Sequence, residues 1–511
     1  MARYNGPAND HDEAWGMALD ASGNVYVTGY SRGTNPDCAT VKYDSSGNEL
    51  WVARYNGPGD GYDDGTAMAV DASGNVYVTG VSFGDGTYSD YATIKYDSFG
   101  SQLWVARYDS PAHFHDNPWA IAVDASGNVY VTGLSYVGDG WLGYDDCDYA
   151  TVKYDSSGNE LWVATYDGGG QEHDSGRAIA LDVFGNVYVT GSSEGIGTGR
   201  DYATVKYDSS GNELWVARYN GPANNTDAVE AVAVDASGNV YVAGRSAGID
   251  TGMDYATVKY DPSGNQLWAA RYNGPANGEE CMYINGMALD GSGNVYVTGG
   301  SVGDGTDQDY ATVKYDPSGN ELWVARYNGP ANGRDYGYTM VLDASGNVYV
   351  SGGSYGIGTG EDYATIKYDS SGNELWVARY NGPGNSLDLG EVMALDGSGN
   401  LYVTGGSFGD GTYLDYATIK YVQDPAAGIE ALIAAVISLN LQQGIENSLD
   451  SKLDAAQQAL QDINKNNNVA AINALGAFIN AVQAQAGVHI PVDDANALIA
   501  AAQQIIDVLN S

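Results

Sequence analysis

A chain of 511 residues exceeds what one hydrophobic core usually serves, so several domains or one large repeat array are expected. Its 65 acidic against 22 basic side chains give a formal charge of -43, which repels a phosphate backbone, so no nucleic-acid partner is expected and an anionic membrane is a poor one. Seventy glycines and 41 tyrosines against 6 phenylalanines suit many short strands joined by tight turns. Three scattered cysteines, Cys38, Cys147 and Cys281, form no disulfide framework or CxxC metal spacing.

The first element is a fragment. Ala2-Arg3-Tyr4-Asn5-Gly6-Pro7 matches Ala53 to Pro58, the end of a strand that recurs later, and the start shows no signal-peptide pattern. A unit with the core Asp-Ala-Ser-Gly-Asn-Val-Tyr-Val-Thr-Gly, with small variations, then begins at Asp20, Asp71, Asp124, Asp182, Asp235, Asp290, Asp343 and Asp396. These are eight copies spaced 51 to 58 residues apart. A period near 50 with several β-rich segments per copy is that of propeller blades rather than of a helical solenoid.

In the second copy the segments are Ala67 to Val70, Val76 to Ser82, Tyr91 to Tyr96 and Leu103 to Tyr108. Asp-x-Ser-Gly-Asn joins the first to the second and the third to the fourth, which predicts tight hairpins on one face and longer, variable loops on the other. The eighth copy ends after Tyr421 without a fourth segment, and residues 2–7 are expected to supply it. The predicted fold is mainly β: an eight-bladed β-propeller of four-stranded antiparallel blades closed by the N-terminal strand over residues 1–422.

After a linker at 423–427, apolar residues at helical spacing predict a small all-α bundle over 428–511, with helices near 428–439, 445–463, 468–486 and 492–509. Leu449, Leu453, Ala456 and Leu460 form one stripe; Leu498, Ile499, Ala502, Ile505, Ile506 and Leu509 form another. No apolar run is long enough to span a membrane, and a soluble monomer is expected.

Most charged residues recur copy after copy and read as framework: a Lys in each third segment and an Arg in the fourth, with Thr165 in place of Arg in the fourth occurrence of that strand. Seven tryptophans, Trp51 to Trp376, recur at one position of the fourth segment and read as packing between blades. Asp12, Asp63, Asp116, Asp174, Asp227, Asp335 and Asp388 stand eight residues before the repeat Asp. The sixth copy has Glu279 and Glu280 nearby instead. Two roles are open to these aspartates: capping loop backbone, or a carboxylate ring that binds Ca²⁺, which favours several oxygen ligands. The Gly-Asp-Gly loops lack the ligand spacing of an EF-hand, and His11, His115 and His173 beside the aspartates read as solvated.

These copies resemble the bacterial and archaeal beta-propeller repeat family (SBBP), whose units share the Asp-x-x-Gly-Asn-Val-Tyr-Val-Thr-Gly core. The segment with Gly444 to Leu449 and Gly476 to Asn480 resembles a FIMAH-like helical module. The resemblance implies an extracellular or cell-surface location and no established activity. A binding scaffold follows as the expected function, with a protein, glycan or surface polymer held on the variable face and Trp15, Trp119, Trp141 and Tyr144 as contacts in its loops. The alternatives are a polysaccharide hydrolase or lyase using Asp139, Asp145, Asp146 and Asp174, and a structural repeat protein without a specific ligand. An enzyme is the less favoured reading, because a catalytic constellation is asymmetric and repetition is not.

Overall fold

Thirty-two strands and three helices follow one another in a computed structural model that describes all residues except 34, 138–145, 170–172, 423–428, 430–431, 434, 438, 440, 462–467 and 511. The strands group in antiparallel fours in chain order, β2 (Asp12–Leu19) to β5 (Glu49–Tyr55) first, then β6 (Ala67–Val70) to β9 (Gln102–Tyr108), and so on. Two of the sets, β22 (Glu280–Leu289) to β25 (Glu321–Tyr327) and β26 (Asp335–Leu342) to β29 (Glu374–Tyr380), share one parallel bridge, Asn285 to Thr339. The last set has three consecutive strands, β30 (Asp388–Leu395), β31 (Leu401–Phe408) and β32 (Leu414–Tyr421), with β1 (Ala2–Tyr4) paired on β32, Arg3 opposite Ala417. The first strand of each set packs on the first strands of both neighbouring sets, and β30 packs on β2.

The repeat core explains the hairpins. In the first, Asp20 Oδ1 accepts the N–H groups of Ser22 and Asn24, while its Oδ2 takes the Asn24 amide and the Tyr26 hydroxyl. These donors hold the Asp20 carboxyl below its usual range in spite of partial burial. The middle strands are nearly all buried, as in β7 (Val76–Phe83) and β8 (Ser89–Tyr96), because both faces of each sheet are covered by neighbours.

Adjacent sheets are joined by the same three devices. The Trp51 indole N–H and the Lys42 ammonium both donate to the Ser98 carbonyl in the next sheet, each at 3.1 Å. The equivalent Lys and Trp pairs converge on the carbonyls of residues 156, 209, 262, 317 and 370. Each of these Lys also sits 4.7 to 4.8 Å from the ring centre of a Tyr on its own sheet. The repeat tryptophans thus serve packing between sheets. Second, Arg54 binds the Ser31 hydroxyl and carbonyl and Asp37 within its sheet and the Tyr4 hydroxyl of the set before it. Third, buried Tyr hydroxyls cross over, Tyr149 to the Ala203 carbonyl and Tyr416 to that of Ala39.

Beyond β32, Ile429, Leu432 and Val436 are helical, followed by α1 (Gln443–Gln461), α2 (Asn468–Gln483) and α3 (Val492–Asn510). Leu449, Leu453, Leu475, Phe478, Leu498 and Ile505 share one core with them, to which no strand among the described residues contributes. The helix α3 rests against β29.

Candidate functional site

Six of the seven aspartates singled out by the repeat open the first strands, Asp63 lies four residues before β6, and all seven are buried. In each, Oδ2 accepts a backbone N–H six residues upstream, at 2.5 to 2.8 Å: Gly6 for Asp12, Gly57 for Asp63, Ser110 for Asp116, Gly168 for Asp174, Gly221 for Asp227, Gly329 for Asp335 and Gly382 for Asp388. Glu280 does the same for Gly274. Each clips the loop between two sheets and does not present its carboxylate to solvent. Burial pushes Asp116 and Asp388 up to about 6 and Glu280 to about 7.

Three residues further on, the ladder between first and second strands slips. The register skips Trp15 in β2, Trp119 in β10 (Asp116–Val123), Arg177 in β14 (Asp174–Leu181), Glu230 in β18 (Asp227–Val234), Tyr338 in β26 and Glu391 in β30. A bulge frees one side chain from the pleat and re-aims it. Thr66 stands at this place in the second set, and in the sixth the slip is longer and includes Tyr283. The bulge residues differ in kind from set to set, whereas the residues that join the sheets barely change. Trp15 and Trp119 had been expected in variable loops; they are half-buried on strands instead.

Around these positions runs an asymmetric belt. Trp119 carries the Arg177 guanidinium 4.4 Å from its ring centre, and Arg177 pairs with Glu230 at 3.3 Å. Arg245 adds a positive charge near Glu230 and Tyr283. Tyr283 meets Tyr338 edge to face at 4.6 Å, and Tyr336 stacks on Tyr338. Burial and the Asp335 charge raise Glu361, beside Tyr338, to about 7, and burial with the Glu13 charge holds Glu391 well above the carboxylate range. Trp15 lies 5.2 Å from Tyr30, which lies 6.1 Å from Tyr62. Both arginines fall among Trp119, Glu230 and Tyr283, while acid and aromatic groups alone line the stretch from Tyr338 through Glu391 to Trp15.

The sequence suggested none of these belt residues except Trp15 and Trp119. The available signal was that the residues just after each aspartate change chemistry from copy to copy, the bulge position among them. Trp141 and Tyr144, with Asp139 and Asp145, lie outside the described residues. A separate cleft of about 1060 Å³ sits at the outer edge, lined by Arg3, Arg379 and Lys420 on the strands and Val492, Asn496 and Ile499 on α3.

One junction between sheets departs from the rest. Thr165 pairs with Ala150 where Arg218 pairs with Ala203 in the next set, so Asp148 has no equivalent of the Arg218 to Asp201 contact. Carboxylate oxygens of Asp148, Asp167 and Asp174 lie within 4.8 Å of one another. Burial, then the charges of Asp167, Asp146 and Asp174, push Asp148 up to about 7. Asp90, Asp109 and Asp116 form a similar group one set earlier, but there Arg107 pairs with Asp90 at 2.7 Å. Nearby, buried Cys147 lies 2.9 Å from His173 Nδ1, and its thiol is pushed up to about 12 by burial.

Among known proteins, the chain is similar to an uncharacterized WD repeat-containing protein of Acanthamoeba polyphaga mimivirus, 24% identical over 71% of this chain and 31% of that protein. It is 30% identical over 29% of its length to the regulatory protein FlaEY of Caulobacter vibrioides, of which 15% is covered. The chain thus spans less than a third of either relative. Solved structures include a polysaccharide lyase, an ulvan lyase, at 13% identity over 81% of this chain and 93% of that one, TM-score 0.42. The calcium-binding protein regucalcin of Agrobacterium tumefaciens matches at 17% identity over 58% and 88%, TM-score 0.29. The beta-propeller repeat family (SBBP) matches residues 164–197, from the end of β13 (Glu160–Tyr166) through β15 (Val187–Gly195), so this stretch is a beta-propeller repeat embedded in a mainly β chain of four-stranded antiparallel sheets.

Proposed function

We propose that the chain is an exported or surface-associated binding scaffold: a closed ring of eight blades, completed by β1, that holds a glycan, protein or surface polymer at the inner belt. The bulge row carries this reading, since it varies freely on a frame whose joining residues are repeated. Contacts of β30 on β2, of Lys420 with the Ser45 carbonyl and of Arg3 with Tyr380 support closure. The helical segment would serve as an attachment or spacing module.

The test is retention of the full chain on an immobilised glycan panel, with Trp119→Ala and Tyr338→Ala compared with exposed rim changes such as Leu103→Ala. Loss in the first two with retention in the third is expected. Binding lost only on rim changes would move the site off the belt.

A second reading adds Ca²⁺ at Asp148, Asp167 and Asp174. The supporting observation is the missing arginine: Thr165 leaves these carboxylates without the cation that its counterparts supply elsewhere. Oxygen-rich, negatively charged groups of this kind suit Ca²⁺. A thermal transition that rises and saturates with Ca²⁺ supports it, by roughly 2.7 kcal/mol at 100 times the dissociation constant. An unmoved transition removes the ion from the account.

A further inference from the structure

Trp15 and Trp119 occupy the same bulge register in two sheets, and they differ in what covers the ring. Trp119 takes the Arg177 guanidinium from the following sheet, and Glu230 from the sheet after that neutralises it. An aromatic face and a carboxylate around one cation make a complete recognition unit built from the chain's own parts.

After Trp15, the following sheet offers Thr66, just ahead of β6, whose hydroxyl donates to Asp64 two residues before it, at 3.1 Å. Among the described residues, no Lys or Arg lies over the Trp15 ring. The acid is supplied differently here, since Trp119 stands where that unit has Glu230: Glu13 lies beside Trp15 and Tyr30, Asp64 is buried beside Thr66, and Tyr30 and Tyr62 extend the run of rings.

We infer that the Trp15 and Thr66 register takes the ammonium group of an amino sugar, in the place that Arg177 fills on Trp119. The inference rests on the binding reading above and names its ligand class. Rings spanning two sheets beside the cation position offer a pyranose chain apolar faces as well as charge, which a flexible alkyl ammonium would leave unused.

The experiment is calorimetric titration of the full chain with a glucosamine oligomer, its N-acetylated form, which lacks the charge, and an oligolysine peptide. The variants are Trp15→Ala and Thr66→Arg, the latter supplying the internal cation. The glucosamine oligomer is expected to bind about tenfold more tightly than the acetylated one. Thr66→Arg should abolish that preference while leaving the melting temperature unchanged.

If both oligomers bind equally and Trp15→Ala weakens both, the ammonium assignment is overturned and the belt reading stands. If glucosamine binding ignores both variants, the belt reading falls too. Absence of glucosamine binding, or tighter binding of oligolysine in competition with it, overturns the sugar assignment.

Discussion

Trp162 covers Gly211, the left-handed glycine in the turn of the following sheet, so closely that a Cβ there would fall 2.7 Å from the indole Cδ2. The indole N–H meanwhile donates to the Ser209 carbonyl of the same turn. Gly211→Ala must therefore both strain a positive φ and push the ring off its seat. A loss of about 1–3 kcal/mol is expected in denaturant unfolding. Gly185→Ala, in a turn with a positive φ but no indole above it, should cost less; equal losses would show that the ring contact contributes nothing.

Arg3 reaches Tyr380, Ser407 and Asp415, as Arg54 reaches Tyr4, Ser31 and Asp37. Deleting residues 1–7 should lower the melting temperature and expose the β32 edge to self-association, read by light scattering. An unchanged melting curve and a monomeric species would show that β1 is dispensable.

Asp227 is a loop cap, with Oδ2 on the Gly221 N–H at 2.6 Å in a buried setting. Asp227→Ala leaves that donor unsatisfied and should cost about 1–3 kcal/mol. Melting with Ca²⁺ and with chelator separates this from ion binding: a cap loses the same stability in both.

Thr165→Arg should restore the missing ion pair to Asp148, raise the melting temperature without added ion and abolish any Ca²⁺ response. A variant that melts lower, or still responds to Ca²⁺, would refute this account of the junction.

The pH dependence follows from the raised carboxyls. Asp148 and Glu280 titrate near 7 in the folded chain and near 4 when unfolded, so between these values the folded state binds more protons. Their contribution favours folding below about pH 4 and is lost as pH rises through 7. Melting temperature should therefore be higher at pH 5.5 than at pH 8, and Asp148→Asn should reduce the difference. A flat profile would remove burial as the cause.

Strands and hairpins were legible because Asp-x-Ser-Gly-Asn fixes each turn through one carboxylate, as Asp20 shows. The bulge row was not. The second copy was the pattern for the first strand, and it is the irregular one. There Asp64 takes the Val81 N–H with its side chain, Asp63 makes only an isolated bridge to Ser82, and β6 starts at Ala67. Elsewhere the strand starts at the aspartate itself, as in Asp12–Leu19, which carries Trp15 out of the loop and onto the sheet. A register slip leaves no mark in apolar alternation over so few residues. The Asp148 group was hidden for another reason: Thr165 was visible as an exception, but Asp148 and Asp167 belong to one sheet and Asp174 opens the next, so their approach exists only in three dimensions.

The arginine hub also sets how such a chain can change. Each Arg ties its own sheet to a tyrosine of the sheet before it, with the same partners at nearly every junction. A duplicated unit therefore arrives with both halves of its joints, and insertion disturbs no existing seam. The bulge residue belongs to none of these joints, so copies can diverge there one at a time while the frame is inherited whole.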